Sequence, residues 1–341
     1  MINRQFMPDN LEMLAGLKDI AGDVAIASTM YEPEQSLLEG IKRITPAFRD
    51  CGISWNIAMT ASTRDKGERR QEFYEHLSKH FKVGIDTEAF PVAPQGGMIE
   101  ANHILAYRMG VAAGKPFVLY TDSDRVTVAA NYHPDEFVRV LKTAVEIARS
   151  QNKVVALGRS PQATRTHLDS LVLTEGPIHH FINHHLGLNP SIDSTSASYL
   201  VPTRIFEQLL SKYDSNTTFL GVQAHYPQLK VLLAGGDIGK GIAPFITKNM
   251  LRYEAPEQMR GAGKITVPNH EWTAKGYDQV TEASLPMQQQ IMSRPGEWLA
   301  RLKTTYEFLD VFKELYLNPR GIKDNNVDSV VSHLRGLPQD R

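Results

Sequence analysis

The sequence predicts an α/β protein with a mostly parallel sheet flanked by helices and a C-terminal helical extension. Two observations lead there. Short apolar runs recur along the first 160 residues, and each is followed by a stretch with apolar residues at helical spacing. Strand and helix alternate, the order that builds a parallel sheet covered by helices.

The elements follow in chain order. Residues 9–20 have the spacing of a short amphipathic helix. Residues 23–29 (DVAIAST) are an apolar strand. Residues 34–48 carry Leu37, Leu38, Ile41, Ile44 and Phe48 at helical intervals. A second strand covers 53–59, a charged helix 65–80 and a third strand 83–90. Gly96 and Gly97 open a helix that runs to about 112. The fourth strand, 117–121, empties into Asp122-Ser123-Asp124. The helix 134–150 starts at a proline, a favoured first helical position, and 154–157 is the next strand. Beyond residue 160 the pattern loosens. Residues 162–185 read as a helix or two, 197–201 as a strand and 204–212 as a helix. Short strands are expected at 230–234 and 264–267, a long amphipathic helix at 297–317, and a polar tail from Lys323. Neither a repeat nor a low-complexity linker divides the chain, so one domain with an extension is the simplest organisation.

Composition narrows the function classes. The 341 residues suffice to bury a sizeable core. A net charge of -1 provides no basic field for nucleic acid, so no nucleic-acid partner is expected. Cys51 is the only cysteine, which excludes an intrachain disulfide and cysteine-rich zinc sites and fits a reducing compartment. No apolar stretch is long enough for a membrane span, and the first residues lack the apolar core of a secretion signal. A cytoplasmic protein is expected.

The chemistry centres on Asp122 and Asp124. Two carboxylates one residue apart, just past an apolar strand, can converge on one hard cation if they continue the strand's alternation. Oxygen ligands favour Mg²⁺ or Mn²⁺. In open parallel sheets, ligands bind outside the carboxyl ends of the strands, where this pair sits. The bland reading is a solvated turn or a helix cap.

The run GGMIEANHILAYRMGVAAGKPFVLYTDSDR resembles the GT-A glycosyltransferases, in which a glycine loop, a helix and an apolar strand precede an Asp-x-Asp signature. The resemblance continues in order. Upstream lie AIASTMYEPEQSLLEGI and IAMTASTRDKG; downstream lie HPDEF, VVALGRS, DSTSASYLVPTRIFEQL and KITVPNHEW. Together they span about residues 23–272, and the plan is most similar to family 2 and to mannosylglycerate and glucosyl-phosphoglycerate synthases.

The resemblance implies a hexosyltransferase that uses a nucleotide-diphosphate sugar and a small polar or phosphorylated acceptor. It implies that residues 23–130 bind the donor and 131–285 the acceptor, after an N-terminal helix (1–22) and before a helical extension and tail (286–341). Asp122 and Asp124 would hold Mn²⁺ or Mg²⁺, with His270 as a third ligand. Thr29, Glu32, Ser62, Gly97, Ser123 and Arg159 would lie along the donor. Asp237 in LLAGGDIGKG falls where family members carry a functional acid; as a catalytic base it competes with a helix N-cap reading. Two departures stand out. The acids that hold the base read Thr60-Ala61, and the lysine that meets the diphosphate reads Met98; Arg159, Arg125 or Lys240 could replace its charge.

Two other readings fit parts of the chain. In a haloacid-dehalogenase-type phosphatase Asp122 would be a nucleophile, but that family's late acidic motif meets Lys240 and Gly241 here. A non-catalytic nucleotide-sugar-binding protein is the other. His179, His180, His184 and His185 form a cluster in which His180 and His184 share a helix face, more in keeping with a polar face than a zinc site. Tyr306, Phe308, Phe312 and Tyr316 recur at helical spacing, for core packing or a homodimer contact.

Overall fold

The computed structural model describes residues 9–30, 35–59, 68–85, 98–164, 169–186, 189, 191–210, 241–251, 302, 305, 306 and 309. Helix α1 (Asp9–Leu14) tightens into a 3₁₀ turn (Ala15–Asp19) and leads into β1 (Val24–Met30). Then come α2 (Gln35–Cys51), β2 (Ser54–Met59), α3 (Glu68–His80), β3 (Lys82–Ile85), α4 (Met98–Ala112) and β4 (Phe117–Asp122). Helices α5 (Ser123–Tyr132) and α6 (Pro134–Gln151) separate β4 from β5 (Val154–Arg159). The short α7 (Pro161–Thr164), α8 (Asp169–Leu186), β6 (Tyr199–Pro202), α9 (Thr203–Leu210) and β7 (Ile242–Thr247) complete the described elements.

All seven strands form one sheet in the order β3-β2-β1-β4-β6-β5-β7. The pairs β1–β2, β1–β4, β2–β3 and β5–β7 are parallel, and only β6 is reversed against its two neighbours. The α/β class and the mostly parallel sheet expected from the sequence are therefore present. Because β4 and β5 both oppose β6, they point the same way. The carboxyl ends of β1, β2, β3, β4, β5 and β7 share one edge, together with the start of β6.

Strand alternation splits the core in two. Val24 and Ile26 of β1 and Leu119 of β4 join Phe48, Val126, Phe137 and Leu141 on the face covered by α1, α2, α5 and α6. Ala27, Val118 and Tyr120 join Tyr107, Tyr199 and Phe206 on the face covered by α4 and α9. Alanines on β1 let α4 come close. A Cβ at Gly110 would lie 2.7 Å from Val118 and 3.0 Å from Ala27, so the glycine is required by the approach. Helix α2 ends in a Schellman turn. Gly52 takes φ 70°, its N–H reaches Arg49 O at 3.0 Å, and Ile53 N–H reaches Phe48 O at 3.1 Å.

Two features depart from the expectations. Helix α5 occupies residues for which no element was expected; its Val126, Thr127 and Val128 are poor helix formers, and burial of Val126 and Ala129 on the sheet overrides them. Strand β7 contains Pro244 and lies last in the sheet order, the position where a strand tolerates the missing N–H. The expected strands 230–234 and 264–267 lie outside the described residues, as does most of the 297–317 helix. Glu136 of α6, 4 % exposed, anchors the end of β7. Its carboxylate accepts the N–H groups of Lys248 at 2.6 Å and Asn249 at 2.9 Å.

Candidate active site

The carboxyl edge holds two polar centres. The first is built where β1 meets β4. Thr29 and Asp122 are register partners, and the Thr29 hydroxyl donates to Asp122 Oδ1 at 2.7 Å. Asp122 is extended (φ -72°, ψ 148°) and stands at the N-cap of α5, yet its carboxylate makes no capping hydrogen bond. It is turned to Thr29 and to Arg125, whose Nε lies 3.6 Å from Oδ2. Ser123 Oγ donates to Thr29 O at 2.9 Å, so β1 and the β4–α5 junction are joined twice.

Asp124 does not continue the strand. It lies in the first turn of α5, where Oδ1 accepts the Arg125 N–H at 2.8 Å. The expected route to convergence, strand alternation, is corrected here: the helix start places the second carboxylate. Burial first, and then the Asp122 charge, push the Asp124 carboxyl up to about 7, against the opposing pull of Arg125. The residue still keeps a partly open surface, so this carboxyl is both crowded and reachable. Arg125, 4 % exposed, places a buried positive charge beneath the pair and donates from Nη1 to Ser198 Oγ at 3.2 Å.

The donor set suits a hard divalent cation. Both groups are carboxylates, and Asp124 is partly protonated near neutral pH, a proton that a cation would displace. Among the described residues no third His, Cys, Asp or Glu joins them. Waters and substrate phosphates would complete such a sphere, as is usual for Mg²⁺. His270, expected as a third ligand, lies outside the described residues, as do Glu32, Ser62, Gly97 and Asp237.

The second centre sits at the end of β5. Arg159 Nε donates to Asp193 Oδ2 at 2.6 Å and Nη2 to Asp193 Oδ1 at 2.8 Å. Nη2 also reaches Glu175 Oε2 at 2.7 Å and Thr195 Oγ1 at 3.0 Å. Burial works against the Arg159 charge, but Asp193 and Glu175 hold it well above its ordinary value. Burial likewise opposes the Asp193 charge, and Arg159 outweighs it, leaving that carboxyl well below the usual range. His179 Nδ1 accepts the Ser194 N–H at 3.2 Å. Its proton therefore sits on Nε2, 3.4 Å from Asp193 Oδ1. Burial lowers its pKa, so the ring is neutral at pH 7.

One strand, β6, lies between the two centres, which sets β4 and β5 about 10 Å apart. Ser198, just before β6, bonds to both sides: its Oγ lies 2.7 Å from Thr121 Oγ1 and accepts from Arg125, and its carbonyl accepts the Leu157 N–H of β5 at 2.9 Å. Of the expected residues, Thr29, Asp122, Ser123 and Asp124 come together, and Arg159 belongs to the second centre. His179 is drawn into that centre, while His180 and His184 stack on an exposed helix face, ring centroids 6.4 Å apart. Glu175, Asp193 and Thr195 were not singled out as site residues. The signal available was the polar run DSTS ahead of an apolar strand, which the resemblance had placed on the acceptor side.

No protein-family model matches the chain, and no curated protein does at the sequence level. Among solved structures, the chain is similar to mannosyl-3-phosphoglycerate synthase from Rubrobacter xylanophilus, with 12% identity over 84% of this chain and 81% of that one (TM-score 0.49). It is similar to glucosyl-3-phosphoglycerate synthase from Mycobacterium tuberculosis in complex with phosphoglyceric acid, with 15% identity over 85% of this chain and 83% of that one (TM-score 0.44). The Mycobacterium tuberculosis enzyme in complex with Mn²⁺, UDP-glucose and phosphoglyceric acid is similar at 15% identity, over 86% of this chain and 87% of that one (TM-score 0.41).

Proposed function

We propose that the chain is a metal-dependent glycosyltransferase that moves a sugar from a nucleotide-diphosphate sugar to a small polar or phosphorylated acceptor. The observation that carries this reading is the Asp122–Asp124 pair at the carboxyl end of β4, with one carboxyl kept partly protonated by the other and by burial. In this reading Asp122 and Asp124 hold Mn²⁺ or Mg²⁺, whose charge offsets that building on the departing nucleoside diphosphate. The Thr29 hydroxyl fixes one oxygen of Asp122 and so aims the other. Arg125 lowers the cost of two adjacent carboxylates from below. Asp124 releases its proton when the cation is taken up.

Thr29, Ser123 and Arg159 belong to the donor side of this proposal with Glu32, Ser62 and Gly97. His270 is its third metal ligand and Asp237 its acceptor-side acid. Arg159 contributes by holding Asp193 and Thr195 at the edge, about two strand spacings from the cation site. The proposed setting is the cytoplasm, without a nucleic-acid partner and with a homodimer contact through the C-terminal aromatic residues. No described helix is long and apolar enough to cross a membrane.

The test is a thermal-shift panel of UDP-, GDP- and ADP-sugars, each with Mn²⁺, with Mg²⁺ and with chelator; UDP-glucose with Mn²⁺ is the first pair to try. One nucleotide-sugar raises the midpoint only with metal, and Asp122→Ala and Asp124→Ala each abolish that rise. Equal stabilisation in chelator would overturn the metal role. Stabilisation by a phosphate monoester with Mg²⁺ alone would favour the phosphatase.

A further inference from the structure

Asn102, on α4, is 0 % exposed, and neither its carboxamide nitrogen nor its oxygen has a hydrogen-bond partner. Buried polar groups are nearly always paired, and one left bare costs stability. A carboxamide with both ends unmet, in a helix otherwise packed with Ala101, Ile104, Ala106 and Tyr107, calls for a reason beyond packing.

The position supplies it. Helix α4 runs opposite to β4: His103 hydrogen-bonds the Tyr120 hydroxyl, whereas Gly110 abuts Val118. Asn102, Ala106 and Gly110 lie on one helical stripe, and Gly110 faces Ala27 of β1. Eight residues of helix carry the stripe about 12 Å toward its N-terminus. Strand β1 covers about 10 Å between Ala27 and Met30. Asn102 therefore stands level with the end of β1, beside the strand pair in which Thr29 holds Asp122. It also lies in the second turn of a 15-residue helix whose N-terminus opens on the carboxyl edge, an end that favours anions.

We propose that Asn102 is a donor-binding residue: its carboxamide hydrogen-bonds the nucleoside diphosphate part of the substrate next to the Asp122–Asp124 pair. The inference rests on the glycosyl-transfer reading. A carboxamide offers N–H groups to phosphate or ribose oxygens and a carbonyl to a ribose hydroxyl. The bond missing in the ligand-free protein is made when the nucleotide binds.

The test uses Asn102→Leu, close in shape and without polar atoms, and Asn102→Ser as a milder variant. Thermal unfolding without ligand is followed by calorimetric titration with UDP, GDP and ADP, each with Mn²⁺. The ligand-free midpoint of Asn102→Leu stays at or above that of the wild type, because an unmet polar group has been removed. The nucleotide that binds the wild type binds Asn102→Leu about tenfold more weakly, the effect of one lost hydrogen bond, with Asn102→Ser between. Unchanged nucleotide affinity in Asn102→Leu overturns the proposal. So does a ligand-free midpoint lowered by several degrees in both variants, which would make the carboxamide part of the scaffold. If the wild type binds none of the three nucleotides with Mn²⁺, the glycosyl-transfer reading fails first.

Discussion

Asp124→Asn tests the electrostatics of the acidic pair directly. The change keeps the side chain's shape and its acceptor for the Arg125 N–H while removing the charge. The Asp124 carboxyl stands at about 7 against an ordinary value of 3.8. That gap is worth about 4 kcal/mol at about 1.4 kcal/mol per pH unit. Residual solvent access and coupling to Asp122 reduce it to about 2 kcal/mol. The sign follows from proton binding. Between pH 4 and 7 the folded chain keeps the Asp124 proton and the unfolded chain has lost it, so wild-type stability falls as pH rises through this window. It levels off above pH 7. The asparagine variant lacks this loss. In EDTA the two proteins unfold together near pH 4, and the variant is about 2 kcal/mol more stable at pH 8, roughly 3 °C for a chain of this size. Added Mn²⁺ at pH 8 raises the wild-type midpoint and leaves the variant unmoved. Thermal unfolding at half-unit pH steps reads both. A difference that stays flat from pH 4 to 8 would refute a strained pair.

Other perturbations probe the frame around the site. Glu136→Ala strips the acceptor from the N–H groups of Lys248 and Asn249 and should cost about 2–3 kcal/mol in denaturant unfolding; a loss under 0.5 kcal/mol would remove its anchoring role. Arg159→Met leaves Asp193 and Glu175 buried without their cation and should cost about 3–5 kcal/mol. Adding Asp193→Asn to it should restore part of that loss, and a double-mutant cycle with no coupling would contradict the bidentate pair. His179 is held neutral by burial, so its stabilising contribution is present above its ordinary pKa and is lost as the pH falls through its lowered one. His179→Gln should flatten the unfolding profile just below its ordinary pKa of 6.5; an unchanged slope there would place the acid sensitivity elsewhere.

Much of the sheet was legible because strand residues are apolar in unbroken runs. VAIAST and FVLYT are buried on both faces, and no periodic ambiguity arises when every side chain is inside. Helix α5 was illegible for the opposite reason: SDRVTVAANY carries β-branched residues that favour strands, and only the sheet beneath it makes a helix pay back the difference. β7 hid behind Pro244, whose cost depends on its place in the sheet, which only the assembled topology sets. Among the site residues, Asp122 and Asp124 were visible as a pair, but their route to one another was not. Alternation along a strand and the first turn of a helix use the same two letters. The Arg159–Asp193–Glu175 clamp joins residues 34 and 16 positions apart, so no local spacing announces it. Asn102 reads as one more helical residue until its surroundings show that nothing answers it.

The hydrogen bond from Thr29 to Asp122 spans 93 positions of chain. Strand β1 meets β2 early in the sequence, but its other neighbour is β4, so Thr29 waits for a partner that the chain supplies much later. Closing so long a loop is entropically slow, and pairings of this range set the pace of folding. A ribosome-bound chain that ends before residue 122 has neither carboxylate. Under the proposed metal role, divalent-metal affinity is a clock for maturation: its appearance during refolding would mark the docking of β4 onto β1, later than the first β1–β2 contacts.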